Sequence, residues 1–296
     1  MDGILIIDKP AGITSHDVIA RVRRILKTKR VGHTGTLDPF ATGVMVILVG
    51  QATRLAQFLD KDRKEYEAVF GFGFETDTGD RTGMRLPGSF ESPRSAVDVT
   101  AVLDAFRGEI QQKPPMFSAK KVDGQRLYKS ARAGIEVERP SATVTIYDLE
   151  VMGETKAGQS TLDLKIRVSC SAGTYIRSLA VDVGRRAGWA AHLANLRRTR
   201  AGRYTIEESL TLDELANTSI AELPIRNMNA AVSHLPFFVV PDERLERTRN
   251  GLSTDAGLDK YIDAEYVRLL NSGGQLMGIG VYDEKENAVR PKVVLV

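Results

Sequence analysis

The sequence holds one cysteine, four histidines and one tryptophan in 296 residues, and aromatic residues make up only 6% of it. A single thiol, Cys170, excludes an internal disulfide. It falls in an alternating apolar and polar stretch, which predicts a core residue and not a catalytic thiol. Histidine and cysteine are too few and too scattered for a structural zinc motif or a zinc deaminase centre. No run of about 18 apolar residues is present to span a membrane. The chain opens on the strand-like Gly3-Ile4-Leu5-Ile6-Ile7, so no signal peptide and a cytoplasmic location are expected. Gly-x4-Gly-Lys-Ser/Thr, Gly-x-Ser-x-Gly and His-Glu-x-x-His are all missing, which removes the P-loop, α/β-hydrolase and zinc-protease readings.

What is present is an ordinary globular composition, 42% apolar and 27% charged. At about 150 residues per domain the length predicts two domains. The net charge is only +3, but it is unevenly spread. Arg21, Arg23, Arg24, Lys27, Lys29 and Arg30 follow one another without an acidic residue among them. Residues 165–203 carry nine Lys or Arg against the single acid Asp182, whereas residues 205–265 hold twelve acidic and five basic side chains. Charge runs are commonly solvated faces, yet two basic zones fit a polyanionic partner such as a nucleic acid.

Between those zones in the fold logic stands Gly32-His33-Thr34-Gly35-Thr36-Leu37-Asp38-Pro39, a stretch polar and turn-rich enough to predict a loop. Before it comes a helical pattern, Val18, Ile19, Val22, Ile25 and Leu26, for which Ser15 is the expected N-cap. After it the apolar run Val44–Val49 predicts a buried strand. On these grounds alone Asp38 is either a turn residue before proline or a reactive carboxylate held between two packed elements. Gln51 to Lys61 reads as a short helix and Lys64 to Phe74 as a strand carrying Tyr66. Thr76–Gly83 is a tight polar turn that lacks the terminal glutamate of a calcium loop. A helix is expected from Thr100 to Gly108, and residues 113–137 are basic and broken by proline. Strands follow at 143–152 and 161–170; the second alternates so that one face is buried and the other is free for solvent or RNA. From Phe237 short apolar strands with glycine turns suggest a small barrel.

The loop closely resembles the GHTGTLDP motif of the TruB family of bacterial tRNA pseudouridine-55 synthases. Four further stretches carry the same resemblance: Lys9-Pro10, Lys64-x-Tyr66 with Thr76-Asp77-Thr78-Gly79-Asp80, Gly173-Thr174-Tyr175-Ile176-Arg177-Ser178-Leu179, and Leu196-Arg197-Arg198-Thr199. The resemblance implies a mixed α+β catalytic domain with a mainly antiparallel sheet over residues 1–235. It further implies a thumb-like RNA-binding segment at 113–137 and a PUA-like β-barrel over 236–296. Phe117 stands where relatives commonly have tyrosine. The implied reaction converts uridine 55 of the tRNA T-loop into pseudouridine. Asp38, Tyr66 and Arg177 are then catalytic: Asp38 as the nucleophile, Tyr66 against the uracil and Arg177 paired with Asp38. His33, Lys9, Pro10, Asp80, Tyr175 and Leu196 are the residues assigned to substrate or RNA, Leu196 as a wall of the uracil pocket and Asp80 as a support for the arginine. Neither a metal nor an organic cofactor is expected, and the partner is the tRNA T stem-loop. A monomer without an obligatory protein partner or a membrane is expected.

Overall fold

The computed structural model describes residues 1–59, 63–88, 96–118, 121–122, 125–127, 135, 137–156, 160–255 and 265–295. Its centre is a nine-stranded sheet. Strands β1 (Gly3–Lys9), β2 (Val31–His33), β3 (Thr42–Val49), β4 (Arg63–Phe72), β5 (Gly108–Gln112), β8 (Ala142–Thr155), β9 (Leu162–Ser171), β10 (Ala191–Ala201) and β11 (Tyr204–Thr205) build it. A separate pair, β6 (Lys121–Val122) and β7 (Gln125–Arg126), lies between β5 and β8 in sequence. The main path runs β1-β3-β10-β4-β9-β8-β5, with β2 beside β3 and β11 beside β10. Every pairing is antiparallel except β3 with β10.

The unbroken apolar run of β3 is explained by burial on both faces. Met45, Ile47 and Val49 face the helix α1 (Ser15–Ile25), meeting its Val18, Ile19 and Val22. Those three helical side chains, spaced three and four apart, stabilise the contact by about 1.5–3 kcal/mol each. Val44, Val46 and Leu48 face the other way, towards Ile4, Ile6, Leu55 and Phe58. Because β3 is central and α1 is clamped to it, the segment between them is held at both ends.

Several local expectations change in three dimensions. The N-cap of α1 is Thr14, which forms a reciprocal capping box with Asp17. Ser15 is already helical, and its hydroxyl turns inward to both the amide and the carbonyl of Leu37. Gly32 and His33 belong to β2 and not to the loop, since the edge of β3 offers them backbone partners opposite Leu48 and Ile47. The helix expected at 51–61 is a 3-10 turn over Gly50–Leu55, and residues 60–62 lie outside the described residues. The helix expected from Thr100 to Gly108 is α2 (Ala96–Leu103), followed by a 3-10 turn over Asp104–Phe106.

From Phe237 onward a second sheet of five strands has the order β12 (Phe237–Val239), β14 (Val267–Leu270), β15 (Leu276–Asp283), β16 (Ala288–Val294), β13 (Thr254–Asp255). It curls into a half-barrel. It is not a bead on a string. Ile279 and Val293 share a core with Ile4, Ile6 and Val46, Tyr266 packs edge-on against Phe58, and Arg54 donates to the carbonyl of Val294.

Candidate active site

Asp38 follows Leu37, whose backbone is pinned by Ser15, and precedes Pro39 and Ala41, whose carbonyls are pinned by Lys9. The loop is therefore rigid on both sides of the aspartate. Lys9 donates its three N–H groups to the carbonyls of Pro10, Pro39 and Ala41, at 2.9, 3.1 and 2.7 Å. It is fully buried, and that burial pushes its ammonium down to about 8 against the pull of the Asp38 charge. Its cation is spent inside the loop. Lys9→Met keeps the length and removes all three donors, leaving buried carbonyls unpaired. Urea denaturation is expected to show a loss of about 2–4 kcal/mol; a change below about 0.5 kcal/mol, the usual surface value, would contradict the bracing role.

Arg177 sits in the first turn of α3 (Ile176–Arg186) and is 4% exposed. Its Nε lies 2.9 Å from one Asp38 oxygen and its Nη2 3.2 Å from the other, a two-point grip. The remaining nitrogen contacts the Thr78 carbonyl at 3.2 Å and Asp80 at 3.6 Å, and Nη2 also donates to the Phe117 carbonyl at 2.8 Å. Asp80 is itself buried, held by Thr78 and Thr82, so it stands behind the arginine. Burial pushes the Asp38 carboxyl above its ordinary range; Arg177 opposes this, and the Asp80 charge adds to it.

Asp38, Tyr66, Tyr175, Arg177 and Leu196 line one cavity of about 300 Å³, together with Thr34, Lys64, Ser118 and Arg198. Tyr66 and Leu196 come from adjacent strands β4 and β10. Tyr175 is the N-cap residue of α3; its amide donates to the Gln112 side-chain oxygen and its carbonyl accepts from the Gln112 side-chain nitrogen. Pro10 is exposed on the turn below the loop, outside the cavity. His33, at the end of β2, also lies outside it. Burial pulls the His33 imidazole below its ordinary value, and its Nδ1 has no hydrogen-bond partner among the described residues. Of the thumb-like segment, 113–118 is described and docks on α3 through Ser178 and the Lys113 carbonyl. Of the rest of the segment, 121–122, 125–127, 135 and 137 are described, and the remaining residues lie outside the described ones.

The two basic zones differ. Arg21, Arg23, Arg24, Lys27, Lys29 and Arg30 are all exposed on and after α1, with no ion pair among the described residues. The zone at 165–203 is instead mostly neutralised: Lys165 pairs with Glu67, Arg167 with Asp148 and Glu150, Arg185 with Glu75, Arg197 with Asp8, and Arg200 with Glu65. The polar face of β9 is correspondingly less open than its alternation predicts, since Asp163 and Ser169 are buried on it. Arg198 is the lining residue that the sequence reading passed over. The signal for it was the period of two, which places it on the same strand face as Leu196.

Comparison with known proteins gives the same outline. Residues 23–176 match the N-terminal domain of the TruB family pseudouridylate synthases, and residues 177–231 match the C-terminal domain of tRNA pseudouridylate synthase B. The chain is 44% identical to tRNA pseudouridine synthase B of Geobacillus kaustophilus (strain HTA426), over 85% of this chain and 90% of that protein. It is 38% identical to tRNA pseudouridine synthase B of Bacillus subtilis (strain 168), over 100% of this chain and 98% of that protein. Among solved structures, a chain of a Cbf5-Nop10-Gar1 complex superposes with a TM-score of 0.72 at 28% identity, covering 99% of this chain and 84% of that one. A chain of an H/ACA RNP bound to a substrate RNA containing 2'-deoxyuridine gives 0.70 at 26% identity, over 99% and 85%. With the carboxylate and guanidinium locked together in a single cavity and both domains of one family matched in order, the chain belongs to the TruB family of pseudouridylate synthases.

Proposed function

We propose that the protein isomerises uridine 55 in the T-loop of tRNA to pseudouridine, with Asp38 as the nucleophile. The observation that carries this reading is the two-point Asp38–Arg177 pair on the wall of a cavity that also presents Tyr66 and Leu196. About 300 Å³ is the low end for a ligand pocket and suits one base. Asp38 attacks the target nucleoside and forms a covalent intermediate, so that the detached uracil turns and rejoins the sugar. The N1–C1′ bond breaks and a C5–C1′ bond forms; C5 loses a proton, which Tyr66 handles, and N1 gains one. No electrons are exchanged with an outside partner.

The base stacks inside the T-loop and must be flipped out, at a cost of about a few kcal/mol. Phosphate contacts offset that cost. The exposed cations of α1, not the paired ones of β9 and β10, are the side chains available for them. His33, whose ring is flat and stands at the start of the Asp38 loop, is suited to stack in the place the base vacates. The protein acts as a monomer in the cytoplasm without an obligatory protein partner. No helix among the described residues is long and apolar enough to cross a membrane.

Residues 236–296 act as a PUA-like RNA-binding unit in this reading. A depression on their sheet is lined by Tyr282, Arg290, Pro291 and Lys292. Deletion is the wrong test, because Ile279 and Val293 belong to the core of β1 and β3. The double change Arg290→Ala with Lys292→Ala is expected to lower the salt slope of tRNA binding by about 2. Single-turnover conversion at saturating enzyme should stay within about twofold of the wild type, because phosphate contacts position the RNA and do no chemistry. An unchanged slope would remove this sheet from the RNA interface.

The overall function is tested by mass spectrometry of nucleosides from tRNA incubated with the protein, after carbodiimide labelling to reveal the mass-silent isomer. Labelled pseudouridine at position 55 is expected. Tight binding without any labelled isomer would identify an RNA-binding or RNA-folding protein instead.

A further inference from the structure

Arg197 and Arg198 are neighbours in sequence, and β10 turns them to opposite faces of the sheet. Arg197 leaves the cavity and pairs with Asp8 at 2.7 and 3.1 Å. Arg198 lies directly opposite Tyr66 in the β10–β4 register, on the face it shares with Leu196, and lines the cavity. It is 3% exposed. Its Nε donates to the Val44 carbonyl at 2.7 Å, and its terminal nitrogens reach the Gly35 and Thr36 carbonyls at 3.3 and 3.4 Å. It has no carboxylate within ion-pair distance among the described residues. A buried guanidinium without a countercharge is costly, and backbone carbonyls offset only part of that cost.

Three groups bear on the Tyr66 hydroxyl: Arg198 from β10, Cys170 from β9 and Asp38 from the loop; Lys64, on the same strand as Tyr66, lines the same cavity. Cys170 remains a thiol, pushed by burial up to about 11. Asp38 is gripped by Arg177. Burial raises the Tyr66 hydroxyl above its ordinary value, while the charge and hydrogen bond of Arg198 pull it back.

We propose that Arg198 is a positioning residue for the reaction: it holds the Tyr66 oxygen by a charge-assisted hydrogen bond, stabilises negative charge on that oxygen, and ties it to the Gly35-Thr36 backbone that leads to Asp38. The proposal rests on the reading in which Tyr66 handles the C5 proton. For Tyr66 to accept that proton, its own must first pass to solvent, which returns one to N1, and Arg198 is the cation placed to hold the resulting phenolate. The same guanidinium thereby links the proton-handling oxygen and the nucleophile loop as one rigid unit.

The test reads Tyr66 itself, without turnover. Protein labelled with 3-fluorotyrosine is titrated by fluorine NMR, which makes the phenol more acidic and its titration accessible in the folded state. Tyr66 is assigned among the eight tyrosines by the signal lost in Tyr66→Phe. Arg198→Gln and Arg198→Leu are expected to move the Tyr66 titration upward by roughly one unit or more, the effect of removing a neighbouring opposite charge. Arg198→Lys keeps a cation and should move it by less than half as much. The limb of the single-turnover pH profile that Tyr66→Phe abolishes should shift upward with the titration. An unmoved titration in the neutral variants would overturn the proposal, as would an equal shift in Arg198→Lys. Failure of both neutral variants to fold would assign Arg198 to the scaffold and overturn it too. Inactivity of the wild-type protein on tRNA, with the shifts as expected, would instead defeat the functional reading and leave the Arg198–Tyr66 coupling standing.

Discussion

Asp38→Asn is expected to slow single-turnover conversion of a T stem-loop by roughly 10⁴-fold or more, by analogy with removal of other covalent nucleophiles. Filter binding of the same RNA should hardly change, because phosphates and not this carboxylate supply most of the affinity. The substitution separates a reactive carboxylate from a turn-forming one. The turn at Asp38 is closed by its backbone carbonyl, which accepts from the Ala41 amide at 3.1 Å, and the ends of the loop are held by Ser15 and Lys9. The side chain's hydrogen-bonding partner is Arg177. Asparagine therefore leaves the loop standing, and normal activity in the variant would remove Asp38 from the mechanism. Arg177→Lys keeps the positive charge but loses the two-point grip, so the carboxylate is less well aimed. A smaller fall, roughly 10²-fold, is expected. Because burial raises the Asp38 carboxyl, the acid limb of the wild-type rate profile should lie above the ordinary carboxylate range, the rate falling as Asp38 becomes protonated.

Gly43→Ala is expected to cost about 3–5 kcal/mol in urea denaturation, as the sum of a strained backbone and a steric overlap. Gly43 has φ of +106°, and a Cβ there would lie 2.1 Å from the Arg198 carbonyl oxygen and 2.7 Å from its amide nitrogen. This is the point where β3 and β10 run parallel, Gly43 opposite Arg198. Relief of the overlap must push β10 away, carrying Leu196 and Arg198 with it, so conversion should fall along with stability. Gly12→Ala is the control: its φ is +86°, yet nothing lies within 4 Å of the added carbon. About 1 kcal/mol is expected there, from backbone strain alone. Equal losses in the two variants would show that the β3–β10 approach is less tight than its geometry requires.

The local sequence was sufficient wherever a single element decides the outcome. The apolar runs of β1 and β3, the alternation in β9, the spacing of Val18, Ile19 and Val22 in α1, and the polar turn holding Asp38 were all legible, because period and turn chemistry act over a few residues. The proposed catalytic trio was legible only through resemblance: Asp38, Tyr66 and Arg177 lie far apart in the chain, and no spacing rule joins them. Tertiary structure decided the rest. Gly32 and His33 are a strand because β3 has an edge to offer them. Lys9 is a brace because three carbonyls converge on it. The basic zone at 165–203 is quenched by carboxylates as remote as Asp8 and Glu75, which no charge count along the chain can reveal. Arg198 faces the cavity while Arg197 faces away, because strand register assigns each side chain a face. The half-barrel is joined to the first sheet through Ile279 and Val293, since apolar side chains bury against whatever surface the fold presents, without regard to separation in sequence.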